Sequence, residues 1–117
     1  MDSITRTDIV YISGPMSGLP DYNRDAFYQA EEMLNQKIPC RAIINPAYLE
    51  TYVPGLTYKE MMQFAKTSVQ IADVIVLLPG WDDSEGASLE AELAAKLGKK
   101  IFFADQLFHF TGQKKEE

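Results

Sequence analysis

The chain has 117 residues, one domain's worth, with 46% hydrophobic and 24% charged residues, ordinary globular proportions. A net charge of −6 excludes the wrapping of a nucleic-acid polymer, which needs clustered Lys and Arg. One cysteine (Cys40) and one histidine (His109) exclude an intramolecular disulfide, a Cys-rich metal site and a Cys–His nucleophile pair.

The N-terminus has no charged-then-apolar signal pattern, and no apolar run is long enough to span a bilayer, so a cytoplasmic chain without a membrane partner is expected. Residues 1–112 read as a single domain and 113–117 as a polar tail.

Ile9-Val10-Tyr11-Ile12 is β-branched and aromatic, and Ser13-Gly14-Pro15 stops it, so a buried strand is expected there. Phe27, Ala30, Met33, Leu34 and Ile38 recur at helical spacing, predicting a helix over about Asn23 to Gln36. Ala42-Ile43-Ile44 is a short strand ended by Asn45-Pro46. Tyr48 to Thr57 contains Pro54-Gly55 and reads as a loop.

Tyr58 to Gln70 is helical, with Met61, Met62, Phe64, Ala65, Ser68 and Val69 as its apolar pattern. Val74 to Leu78 is the strongest strand, stopped by Pro79-Gly80. Ser84 to Leu97 is the strongest helix, with Gly98 as its C-terminal cap. Lys100 to Ala104 is the last strand, and Leu107, Phe108 and Phe110 are expected to cover an edge or a partner. Apolar strands alternating with amphipathic helices predict an α/β, Rossmann-like (flavodoxin-like) three-layer sandwich on a four- to five-stranded parallel sheet. Ligands of such sheets bind beyond the carboxyl ends of the strands, so Ser13 to Gly18, Asn45-Pro46 and Pro79 to Ala87 should converge on one cleft.

The loop Ser13-Gly14-Pro15-Met16-Ser17-Gly18 brings two glycines for close backbone approach and two hydroxyls for hydrogen bonding. It matches neither the dinucleotide fingerprint nor the Walker pattern, and alone it reads equally as a plain strand-to-helix turn. The second loop runs from Pro79 through Gly80, Trp81, Asp82, Asp83, Ser84, Glu85, Gly86 and Ala87. Ser84 is a good helix cap, and the helix start behind it suits an anion. Asp82, Asp83 and Glu85 read as solvated acids that complement the helix dipole, and Trp81 as either a stacking surface or a loop anchor.

Glu90 falls within the stripe of Gly86, Leu89, Leu93, Ala94 and Leu97, where an unused carboxylate would cost free energy. His109 and Cys40 read as packing residues.

Taken together, these segments resemble the nucleoside 2-deoxyribosyltransferase superfamily, and within it a small phage-associated branch. The resemblance rests on Tyr11 to Gly18, Tyr22-Asn23, Phe27, Asn45-Pro46-Ala47, Ala72 to Trp81, Ser84 to Ala87, Glu90, Ala94 and Leu97-Gly98-Lys99. It implies cleavage or transfer at the N-glycosidic bond of a deoxynucleoside or deoxynucleotide, without metal or organic cofactor. It further implies Glu90 as the nucleophile and Tyr11 as the residue that orients it.

Ser13, Gly14, Pro15, Met16, Ser17, Gly18, Asn45, Pro46, Gly80, Trp81, Ser84, Gly86 and Ala87 are then the expected substrate contacts. Ser84, six residues before Glu90, resembles the nucleoside-monophosphate hydrolases of the superfamily and implies a 5′-monophosphate. Ala65, eight residues before Asp73, stands where members of the superfamily commonly carry an acid that helps the base to leave. That departure raises an alternative, a nucleotide-binding module without turnover. A homo-oligomer is also expected, with Leu107-Phe108-His109-Phe110 at its interface.

Overall fold

The computed structural model describes residues 3–107. Four strands, β1 (Ile9–Ser13), β2 (Ala42–Ile44), β3 (Val74–Leu77) and β4 (Lys100–Phe103), form one parallel sheet in the order β2-β1-β3-β4. This is the flavodoxin-like strand order, and its direction reverses between β1 and β3. Among the described residues five α-helices connect or follow the strands: α1 (Arg24–Lys37), α2 (Pro46–Tyr52), α3 (Tyr58–Ile71), α4 (Glu85–Lys96) and α5 (Ala104–Leu107).

The pleat separates two cores. Val10, Ile12, Val74, Val76 and Leu78 point to one face and pack against Phe27, Ala30 and Leu34 of α1, Ala47 and Ala104. Tyr11, Ile75 and Leu77 point to the other and meet Ala65 and Val69 of α3 and Ala91 and Ala94 of α4. The central strands β1 and β3 are buried on both faces, which is why they read as unbroken apolar runs.

Three expectations are corrected. The segment expected to be a loop from Tyr48 holds α2, because Asn45 caps it and Pro46 occupies its first turn, where a missing N–H costs nothing. The Asn45 side chain accepts from Ala47 N at 3.0 Å. Ala104 opens α5 instead of ending β4. The buried stripe of α4 is Ala87, Ala91 and Ala94; Leu89 and Leu97 are exposed. Small residues on that stripe let α4 lie close to the sheet, and closeness brings Glu90 to β1.

The start of α3 carries a reciprocal cap. Thr57 Oγ accepts from Glu60 N at 3.1 Å, and Glu60 Oε1 accepts from Thr57 N at 2.9 Å. The entry to α1 differs: Asp21, Tyr22 and Asn23 all have left-handed backbone, with φ of 54°, 54° and 61°. Such conformations cost non-glycine residues about 1–3 kcal/mol each. Among the described residues no helix is long and apolar enough to cross a membrane.

Candidate functional site

A cleft of about 710 Å³ opens over the carboxyl ends of β1 and β3, at the point where the strand order reverses. Its size suits a small molecule. The loop after β1 supplies Gly14, Pro15, Met16 and Ser17, and the loop after β3 supplies Gly80, Asp83 and Ser84. The start of α4 adds Glu85, Gly86, Ala87 and Glu90. Tyr11 forms part of the floor, and Pro46 and Glu50 come from α2.

Glu90 is the chemical centre. Ser13 Oγ, at the end of β1, donates to Glu90 Oε1 at 2.6 Å. The Tyr11 phenol is directed at the same carboxylate. Burial pushes the Glu90 carboxyl from 4.5 up to about 7, and the Ser13 and Tyr11 hydrogen bonds hold it back from rising further. The Tyr11 hydroxyl is itself pushed well above its ordinary value, first by burial and then by the neighbouring Glu90 charge. It therefore stays a proton-bearing donor. A carboxylate held by the Ser13 hydroxyl and faced by that of Tyr11, desolvated and open to a cavity on one side, is equipped to act as a nucleophile or a base at neutral pH.

Ser84 caps α4 by accepting from Ala87 N at 3.2 Å, and its hydroxyl also lines the cleft. Gly14 is obligatory for a packing reason: a Cβ there would sit 2.8 Å from Leu78 Cβ. Gly80 has φ +88°, which turns the chain from β3 toward Trp81.

The remaining expected contacts are placed elsewhere. Asn45 is buried away from the cleft; it donates to Phe27 O at 3.2 Å and to Glu31 Oε1 at 2.9 Å. Trp81 leans on Phe103 with ring centroids 6.1 Å apart and packs on the core beside α4, so it is an anchor of its loop. Gly18 (φ +81°) turns the chain beyond the cleft wall. Ser13 reaches the site only through Glu90, being fully buried itself. Of the segment expected at an interface, Leu107 ends α5 and packs on the core, and residues 108–110 lie outside the described residues.

One wall of the cleft does not follow from the sequence reading. Tyr58, Met61, Met62 and Ala65 line it from α3, at the three- and four-residue spacing of one helix face. That spacing is visible in the sequence, but it reads as core until the topology leaves the upper half of α3 uncovered. Tyr22 and Leu19 complete the rim. Among the described residues four acids line the cleft (Glu50, Asp83, Glu85 and Glu90) and no Lys or Arg does. Among the described residues no cluster of three or more His, Cys, Asp or Glu is placed to hold a metal ion.

Comparison with known proteins adds a family. The model for "Domain of unknown function (DUF4406)" matches residues 8–103. The chain belongs to the DUF4406 family. No curated protein sequence matches it. Among solved structures, this DUF4406 protein is similar to a 2-desoxiribosyltransferase from Leishmania mexicana at a TM-score of 0.58 and 20% identity. The match covers 82% of this chain and 63% of that one, so the chain spans less than two thirds of its structural neighbour's length. At that identity the likeness establishes the shared fold.

Proposed function

We propose that this DUF4406 protein cleaves or transfers the N-glycosidic bond of a nucleoside, with Glu90 as nucleophile and Tyr11 and Ser13 as the hydroxyls that orient it. The observation that carries this reading is the 2.6 Å contact of Ser13 with a desolvated Glu90 at the floor of the cleft. The fold shared with a 2-desoxiribosyltransferase supports it. A Glu90 oxygen would bond to the anomeric carbon as the carbon–nitrogen bond breaks. The electron pair then goes to the base, which takes up a proton. Water or a second base would next displace the ester and free the carboxylate.

The 5′-monophosphate suggested by Ser84 has one observation for it and one against. For it stand the Ser84 hydroxyl and the α4 start, equivalent to about half a positive charge. Against it stand the carboxylates of Glu50, Asp83 and Glu85, in a cleft that no basic side chain lines among the described residues. Charge outweighs the dipole here, and the favoured substrate carries a free 5′-hydroxyl. The test is chromatography of free base released from each 2′-deoxynucleoside and its monophosphate. Release that depends on Glu90 and is faster from the nucleoside supports the reading; equal release by Glu90→Gln would overturn the nucleophile.

A second reading, binding without turnover, is favoured by Ala65, which is buried and brings no acid to the cleft wall. It requires that bound nucleoside be recovered intact. We also propose that the chain works as an oligomer, because Leu89 and Leu97 of the α4 segment stand exposed.

A further inference from the structure

We infer that the left-handed turn Asp21-Tyr22-Asn23 is a strained mount that holds the Tyr22 ring against the base of the bound nucleoside. The inference rests on the nucleoside reading of the cleft.

Three successive non-glycine residues occupy left-handed backbone here. Asp and Asn tolerate this conformation best among such residues, and Tyr has no such tolerance. The chain uses glycine at other sharp turns, with φ +81° at Gly18 and +88° at Gly80. A tyrosine at the middle of the strained turn therefore calls for a reason that lies in its side chain.

Core packing does not supply that reason. Tyr22 is 45% exposed, and no residue of its turn is buried. Among the described residues it pairs with no other ring, whereas Tyr48 stacks on Tyr52 and meets Tyr28 at a tilt. What it does face is the cleft, whose wall it forms with Leu19 and Tyr58.

The turn is over-determined by its neighbours, as a strained element must be. Pro20 fixes its entry. Tyr22 N donates to Leu19 O at 3.0 Å, and Leu19 N donates to Met16 O at 3.2 Å. Asn23 Nδ2 donates to Pro15 O at 3.0 Å. Asp21 pairs with Arg24 across the start of α1. Each tie to Met16 or Pro15 leads into the loop that begins at Ser13, and Ser13 holds Glu90. The ring is thus kept in register with the carboxylate, as a stacking surface for a base leaving a reacting carbon must be. A flat aromatic face accepts any base, so this mount recognises the class of ligand and leaves the choice of base to other groups.

The test compares Tyr22→Phe, Tyr22→Leu and Tyr22→Gly by melting temperature and by KM and kcat on the four common 2′-deoxynucleosides. Tyr22→Gly is expected to raise the melting temperature, because glycine relieves the left-handed strain, and to raise KM at least tenfold with kcat little changed. Tyr22→Leu should show the same loss of affinity without the gain in stability, and Tyr22→Phe should keep wild-type KM. A Tyr22→Gly protein that melts lower, or Tyr22→Leu and Tyr22→Gly proteins that keep wild-type KM, would overturn the inference while leaving the nucleoside reading intact. A wild-type protein that neither cleaves nor is stabilised by any of the four nucleosides would remove both.

Discussion

Glu90 shows how a single residue can be read from physical cost. A glutamate on the buried side of a helix is expensive unless something uses it, and Ser13 and Tyr11 offset only part of that expense. The folded carboxyl titrates at about 7 against an ordinary 4.5. The raised value means that the charged form is disfavoured in the fold. The destabilisation is absent below the ordinary value, grows as pH rises between the two, and is complete above about 7. It corresponds to about 3 kcal/mol. Glu90→Gln is therefore expected to gain about 2–3 kcal/mol of stability at pH 8 and almost nothing at pH 4.5, measured by urea unfolding at both values. A gain independent of pH would contradict the assignment. The same titration predicts that catalysis falls away below about pH 7, as the nucleophile takes up its proton.

At the scale of elements, the loop after β1 is set by packing as much as by ligand. Gly14 lies against the buried Leu78 side chain, and a methyl group there would lie only 2.8–3.0 Å from three of its carbons. Gly14→Ala should cost about 1–3 kcal/mol by thermal unfolding and shift Ser13 away from Glu90. A variant of wild-type stability would show that Leu78 yields easily. The strands are legible in the sequence because β1 and β3 are apolar on both faces and each is stopped by a turn signal. α2 is not legible: Pro54-Gly55 dominates its segment, and the cap signal Asn45-Pro46 doubles as a strand stop. Nor is the burial of α4. Leucines suggest its inward face, yet alanines fill it, because the helix sits too close to the sheet for larger side chains. Glu90 stands out by its position, but its real neighbours on that stripe are Ala87, Ala91 and Ala94. Asn45 and Trp81 look like ligand contacts because each follows a strand; one caps a helix and the other anchors a loop.

At the scale of the molecule, the strand order of the parallel sheet reverses between β1 and β3, and that reversal creates the cleft. Glu90, the Tyr11 and Ser13 hydroxyls and the aromatic rim come from β1, α4, α3 and the turn before α1, so none of the site exists before the sheet forms. Outside the cleft, Leu89 and Leu97 stand exposed on α4. If a second copy covers them, light scattering at micromolar concentration will report a mass above that of one chain, and Leu89→Lys with Leu97→Lys will return it to the monomer. A wild-type monomer would rule out the oligomer.

The role proposed for Glu90 is attack on the sugar. Acid quenching of the protein during turnover of a 2′-deoxynucleoside, followed by peptide mass spectrometry, tests it most directly. A deoxyribosyl adduct is expected on the peptide that contains Glu90, and it should be lost in Glu90→Gln. Base release that proceeds in Glu90→Gln at the wild-type rate, with no adduct on that peptide in either protein, would contradict the claim.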